Sequence, residues 1–255
     1  MQDITSSAPT CRGATLVILL LALFAAVMAL EPIAQDASYH DFADRRFMLG
    51  VPNLLDVASN IVFLIVGGWG IALCAGPHRP SAVVSWKAFF ITTALTGLGS
   101  AWYHWAPDDA TLVWDRLPLA LAVMALFVAV VVEHVGDALE GLERFLLVSA
   151  LATGAASVLW WVWSGDLRPF VWVQFAPLLC ILCVLAIYPA SYTHRRFILY
   201  GLTLYGLAKI AEMHEKVIFT LTAQVVSGHT LKHLLAAAAI VTLLVMLRRR
   251  EAIDV

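Results

Sequence analysis

The segment LVWDRLPLALAVMALFVAVVVE, residues 112–133, indicates the fold class, because it is apolar without interruption from Leu117 to Val132. An α-helix rises about 1.5 Å per residue, so a helix of this length crosses the ~30 Å hydrocarbon core of a bilayer. Asp115 and Arg116 directly precede the apolar run. The segment therefore predicts a membrane-spanning helix with ionisable side chains near its start.

Comparable apolar segments recur along the whole chain, which has 61% hydrophobic and 13% charged residues. A soluble domain carries about a quarter charged residues, so this composition indicates lipid as the main solvent. We expect an all-α polytopic membrane protein with an N-terminal helix and acidic loop (1–52) and a seven-transmembrane-helix core (53–250). The formal net charge of −2 offers no basic face for nucleic acid. The predicted helices are 14–30, 54–75, 83–104, 112–133, 145–163, 170–188, 197–213 and 229–247.

The basic residues indicate how these helices are oriented. When the C-terminal run Arg248–Arg250 is placed in the cytoplasm, most loop lysines and arginines fall on that side. The end of the third predicted helix and the starts of the fourth and eighth then share the extracytoplasmic side. The first segment is alternatively a signal peptide cleaved after Val27-Met28-Ala29, but its apolar run is long for one, which favours a retained helix.

Polar residues inside these helices mark a candidate site, because an ionisable group in a bilayer is costly unless it is paired, liganded or hydrated. Ser100 and His104 lie four residues apart, as do His229 and His233, so each pair shares one helical face. With Asp115, they are expected at one membrane depth. Three neutral imidazoles leave a fourth zinc position open for water, which is the arrangement of a catalytic rather than a structural site.

Each of these residues also has a structural interpretation. A single membrane histidine is more often a hydrogen-bonded packing residue, and a helical serine such as Ser100 most often bonds its own backbone. Asp115 is alternatively a carboxylate stabilised at a helix N-terminus. Only the convergence of these side chains at one depth favours zinc. Nearby, Lys209 and Glu212 are expected to pair within one helix, and Lys232 is expected to snorkel to the headgroups.

The ordered set Ser100-x-x-x-His104, Asp115 and His229-x-x-x-His233 resembles the alkaline ceramidase family of the CREST superfamily of membrane hydrolases. The resemblance implies that the three histidines bind zinc and that Asp115 orients a zinc-bound water and accepts its proton. It implies that Ser100 stabilises the oxyanion. The implied reaction is hydrolysis of a membrane lipid partner, ceramide or a related N-acyl lipid, to a fatty acid and a sphingoid base or amine.

The resemblance also implies a calcium site before the first core helix. In this chain the oxygen ligands would come from Asp36, Asp41 and Asn53. The D-W-x-E order of the family is missing, and the loop is longer. The alternative is a solvated acidic loop.

Two other functional classes remain open. The progestin and adipoQ receptor family resembles this core and has a similar zinc site, so a metal alone does not establish turnover. Trp114-Asp115-Arg116 favours the ceramidase branch. A proton or metal-ion transporter would need ionisable groups at several depths, whereas these cluster in one layer. The sequence leaves the oligomeric state open.

Overall fold

The structure, a computed structural model, describes residues 8–77, 79–136, 139 and 141–253, so the first seven residues of the predicted N-terminal segment lie outside the described residues. The regular elements of the described chain are helices, apart from a small antiparallel hairpin, β1 Phe47–Met48 and β2 Val51–Pro52, and a 3-10 turn lies at Ala37–His40. The predicted all-α class is confirmed, and each predicted segment coincides with helix. The helices are α1 Ala8–Met28, α2 Leu54–Ala58, α3 Ile61–Ala75, α4 Val83–Trp105, α5 Asp109–Val135, α6 Glu143–Ser164, α7 Arg168–Ile187, α8 Arg196–Met213, α9 Glu215–Leu221 and α10 Gly228–Arg249.

Five helical segments of the described chain are long and apolar enough to cross a membrane, which indicates a membrane protein. They are Leu54–Ala75 (α2 and α3 together), α5, α6, α7 and α10. Helix α1 is apolar over the shorter stretch Arg12–Met28. Helices α4 and α8 carry polar side chains, among them Thr93 and Glu212, that lower their apolarity. The seven-transmembrane core, its orientation and the domain division stay predictions.

Helices α4 and α5 form a hairpin that places two candidate site residues side by side. The side chain of Asp108 accepts a hydrogen bond from the Thr111 N–H at 2.6 Å, which starts α5 directly after the short turn from α4. Hydrogen bonds from Thr111 lower the pKa of Asp108. Near the turn, a Cβ on Gly99 would lie 1.8 Å from the Trp114 carbonyl oxygen. Only glycine permits this approach, and Ser100 and Asp115 are the next residues along each helix.

The start of α10 is fixed by a buried carboxylate in α2. Ser227 caps α10 by accepting a hydrogen bond from the Thr230 N–H. Asp56 is fully buried, and its Oδ1 accepts hydrogen bonds from the hydroxyls of Ser227 at 2.6 Å and Thr230 at 2.5 Å. These bonds satisfy polar groups that have no water partner in a packed interior. They also hold the first turn of α10, which carries His229.

The segment between α1 and β1, residues 29–46, crosses the end of the helix bundle, and we call it the cover segment. Its start is held where the Ile33 N–H donates to Asp166 Oδ1 at 3.3 Å and the Leu167 N–H donates to the Ile33 carbonyl at 2.8 Å. Hydrogen bonds from Arg168 lower the pKa of Asp166 to about 2. The cover segment is therefore anchored to the α6–α7 turn by an ionised carboxylate at neutral pH.

Substitution Gly99→Ala is expected to lower protein stability by about 1–3 kcal/mol, because the new methyl group overlaps the α5 backbone and forces the helices apart. Thermal unfolding of the detergent-purified protein measures the effect. Gly68→Ala in α3 is the matched control, since a Cβ there meets no atom within 4 Å. Equal melting temperatures for the two variants would contradict this account of the α4–α5 contact.

Candidate metal centre

Three imidazoles converge at the end of α4 and the start of α10. His104, His229 and His233 are buried, and one ligand atom from each lies within 4.8 Å of the others. Their ring centroids are 4.5 Å (His104–His229), 5.0 Å (His104–His233) and 5.1 Å (His229–His233) apart. The structure thus brings together the three side chains whose spacing predicted a shared site. The group could hold a metal ion, and the identity of that ion stays a prediction.

The ring orientation of His233 is set by Ser59. The Ser59 hydroxyl lies 3.0 Å from the Asp56 carbonyl oxygen, to which it can donate, and 2.7 Å from Nδ1 of His233. In the tautomer in which Nδ1–H donates to Ser59, Nε2 of His233 is unprotonated. That nitrogen is buried and has no hydrogen-bond partner. A hydrogen-bonded Nδ1 and a free Nε2 are what a metal-binding histidine requires.

His104 supplies the strongest indication of a metal ligand. Its side chain is fully buried, and neither Nδ1 nor Nε2 has a hydrogen-bond partner. A buried polar atom without a partner costs about 1–3 kcal/mol, so a binding partner at this ring is expected. Asn53 fixes the backbone here by donating from its side-chain amide to the His104 carbonyl oxygen at 2.9 Å. The donor set and its unpaired nitrogens fit a divalent metal.

His229 is tied to charged neighbours instead. Its Nε2 accepts a hydrogen bond from Nζ of Lys232 at 2.7 Å, and its Nδ1 lies 3.8 Å from a carboxylate oxygen of Glu215. The lone pair on Nε2 binds either the ammonium proton or a metal ion. Metal binding at this nitrogen therefore requires Lys232 to turn away from His229.

The expectation that Lys232 snorkels to the headgroups is wrong. Its Nζ lies 3.0 Å from Glu212 Oε1, and Glu212 also forms an ion pair with Lys209, as predicted. Tyr39 donates a third bond to Glu212 at 3.2 Å. Burial, with the Glu212 charge, raises the pKa of Tyr39 well above its ordinary value and keeps it a neutral donor. The ion pair with Glu212 therefore replaces water as the partner of the Lys232 ammonium.

Ser100 and Asp115 line a cavity of about 260 Å³ together with His233. The lining follows α4 from Ser100 to Phe89 and α5 from Asp115 to Leu126. Eleven residues of helix span about 16 Å, so the cavity is elongated. Its polar residues gather at the end near His233, and its far end is apolar. Such a cavity suits an amphiphile whose polar group faces the histidines.

The cover segment closes over the histidines, which sequence patterning did not reveal. The Phe42 ring lies 4.7 Å from His104 and 5.1 Å from His229, centroid to centroid, and Phe42 is buried. The Ala43 N–H donates to a Glu215 carboxylate oxygen at 2.7 Å. The segment has no helical or strand period. Only its local concentration of aromatic residues could have indicated burial.

The three residues proposed for calcium make other contacts. Asp36 caps the 3-10 turn through the Ser38 N–H at 2.8 Å, and Asp41 forms ion pairs with Arg45 and Lys216. Asn53 is buried and hydrogen-bonded as described above. Among the described residues, the histidine cluster is the one group of three or more His, Cys, Asp or Glu side chains that could hold a metal. The calcium site stays a prediction without support.

The purified protein is expected to bind one divalent metal ion per chain, and His233→Ala is expected to abolish that binding. Two remaining imidazoles hold a metal far more weakly than three. Metal content after dialysis, read by elemental analysis, measures the effect. The exposed His214, whose Nδ1 bonds only the Ile210 carbonyl, supplies the control His214→Ala. Retention of stoichiometric metal by His233→Ala would overturn the assignment.

Ser59→Ala is expected to weaken metal affinity about 10–100-fold, because it removes the acceptor that fixes the His233 tautomer and ring orientation. Competition with a chromophoric chelator measures the affinity. Ser157→Ala removes a buried hydroxyl that bonds only its own helix, and is expected to leave affinity unchanged. Equal affinities for both variants would show that Ser59 does not orient His233.

Comparison of the chain with protein-family models, with curated proteins and with solved structures finds no match. A proposal for its function therefore depends on the histidine cluster, on the cavity beside it and on the charges around that cavity. Residues of α4, α5, α8 and α10 build these three features. Their meeting at one end of the bundle is the strongest functional signal in the structure.

Proposed function

We propose that the protein is a zinc-dependent intramembrane hydrolase that cleaves the amide bond of an N-acyl lipid, ceramide or a related compound. One observation carries the proposal. Three buried imidazoles, two of them with unpaired nitrogens, form a cluster that meets the cavity through His233, which lines it together with Ser100 and Asp115. The resemblance to alkaline ceramidases supports the reaction type.

His104, His229 and His233 would hold the metal. Three imidazole nitrogens are typical of catalytic zinc sites. When bound, a divalent metal supplies Lewis acidity for the substrate carbonyl and a nucleophile at neutral pH. Glu215 beside Nδ1 of His229, and Ser59 beside Nδ1 of His233, would hold the two rings in ligating orientation.

Asp115 is the proposed proton carrier. It is buried and lines the cavity beside His233, and a carboxylate there can accept the proton of the attacking water. The same group then returns this proton to the amine nitrogen as the carbon–nitrogen bond breaks. Ser100 also lines the cavity, and its hydroxyl would donate to the carbonyl oxygen as negative charge develops there.

The apolar far end of the cavity would bind the acyl chain. Leu126 of α5, Leu243 of α10 and Leu178 of α7 line it. Each methylene buried there contributes about 0.8 kcal/mol. A long acyl chain is therefore enough to orient the substrate, with its amide at the polar end.

A receptor of the progestin and adipoQ type is the alternative, since it would use the same three histidines to hold a metal without appreciable turnover. Both proteins would bind a lipid in this cavity. Release of a fatty acid is the property that separates them.

Purified protein incubated with N-acyl lipids is expected to release fatty acid, and a chelator is expected to stop the release. Asp115→Asn should reduce the rate about 10²–10⁴-fold and Ser100→Ala about 10²–10³-fold, because each removes a group acting on the reacting atoms. Mass spectrometry of the products measures the rate, and Ser157→Ala is the control. Metal-loaded protein that binds the lipids but releases no fatty acid would refute the hydrolase and favour the receptor.

A further inference from the structure

Arg116 is a buried cation with an unused hydrogen-bond donor in the wall of the cavity. It follows Asp115 in α5, is 6% exposed and lines the cavity beside it. Its Nη2 donates to the Gln35 side-chain oxygen of the cover segment at 2.5 Å. Its Nη1 is buried and has no hydrogen-bond partner. A guanidinium N–H left unpaired in a low-dielectric wall is costly, so a ligand acceptor at Nη1 is expected.

Aromatic rings hold the Arg116 guanidinium without neutralising it. Its central carbon lies 4.3 Å from the ring centroid of Trp161, 5.1 Å from Phe170 and 5.5 Å from Tyr39. Such contacts stabilise a cation and fix its orientation, but they leave the charge in place. Within the described residues, no carboxylate lies at ion-pair distance from Arg116, in contrast to Arg46, Arg168 and Arg250.

The charged side chains of the cavity leave its wall with a net positive charge. Lys209 and Lys232 occupy the two carboxylate oxygens of Glu212. Asp115 is the other carboxylate of the lining, so the wall carries three cationic and two anionic side chains. A metal at the histidines would add further positive charge. The cavity therefore has an excess of positive charge, which favours an anionic ligand.

We propose that the amine half of the substrate carries an oxyanion, a carboxylate in the simplest case, and that Nη1 of Arg116 binds it. This inference rests on the proposed hydrolase function. N-acyl amino acids have this chemistry, because their carboxylate is one carbon from the amide nitrogen. Asp115 and Arg116 both line the cavity, so a substrate that presents its amide near Asp115 can present a neighbouring carboxylate to Arg116. Hydrolysis adds one water across the amide and yields a fatty acid and a free amino acid. A neutral ceramide has no charge to offer the guanidinium.

Binding of matched lipids to protein treated with a chelator, which stops hydrolysis, tests the proposal without turnover. N-lauroylglycine and N-lauroylethanolamine share an acyl chain and differ in the carboxylate. In nanodiscs of neutral lipid, the protein is expected to bind N-lauroylglycine at least about tenfold more tightly, which is the usual effect of a hydrogen bond to a charged group. Trp161 is in contact with the guanidinium, so tryptophan fluorescence can follow binding. Equal affinity of the unaltered protein for the two lipids would overturn the proposal, whatever the variants do.

Substitutions of Arg116 test whether this residue causes the preference for N-lauroylglycine. Arg116→Gln is expected to remove the preference. Arg116→Lys is expected to keep only part of it, because lysine retains the charge but lacks the planar guanidinium. The control Arg45→Gln removes an exposed cation of the cover segment and should leave the preference intact. If Arg116→Gln does not fold, Arg116→Lys carries the test. A full preference in a folded Arg116 variant would overturn the assignment.

A comparison with laurate shows whether Arg116 binds the carboxylate of the substrate or that of the fatty acid product. Laurate, a reaction product, is expected to bind more weakly than N-lauroylglycine. Arg116-dependent binding of laurate with equal affinity would overturn the substrate class and assign the residue to product binding.

His233→Ala should lose hydrolysis but keep the anion preference. A preference without hydrolysis in the metal-loaded protein would contradict the proposed function alone, and hydrolysis without a preference would contradict this inference alone.

Discussion

Polar groups surrounded by hydrocarbon must find their partners inside the protein, and this constraint shapes the whole site. Each buried hydroxyl and carboxylate at the start of α10 meets another polar group of the chain. Asp56 accepts from two hydroxyls, and Ser59 connects the Asp56 carbonyl to His233. The polar atoms that stay unpaired are therefore informative. Within the described residues, three of them belong to side chains that line the cavity, His233, Arg116 and Thr93, and His104 carries two more beside His233. The others lie on Asp56, Asn60, Ser85 and Tyr188.

Helix periodicity predicted the helices and the i, i+4 pairs, and the count of membrane crossings was needed to bring His104 to His229 and His233. The i, i+4 spacing puts His229 and His233 on one face, and the Gly99 contact confirms that α4 and α5 meet beside Ser100. These inferences depend on regular backbone geometry, which a single sequence specifies well. The positive-inside rule, by contrast, predicts an orientation that no distance inside the protein can test.

The remaining features depend on tertiary pairing that has no sequence period. Lys232 was expected at the headgroups because a lone lysine in a helix end snorkels, but Glu212 from another helix binds it. In the sequence, Ser59 resembles an ordinary serine at a helix end, and only the structure shows that His233 lies 2.7 Å from its hydroxyl. Phe42 lies in an irregular segment whose path is set by contacts far along the chain. Arg116 was visible in the sequence, but its lack of an ionic partner was not.

Glu212 connects the metal centre to the charges of the cavity. Lys232 donates hydrogen bonds to Nε2 of His229 and to a Glu212 oxygen. When a metal binds Nε2, the ion pair with Glu212 holds the Lys232 ammonium. Two lysines and the neutral Tyr39 hydroxyl already satisfy Glu212. It consequently has no capacity to neutralise a further cation. These three contacts therefore leave Glu212 unavailable to Arg116, and a ligand anion would balance the net positive charge of the cavity.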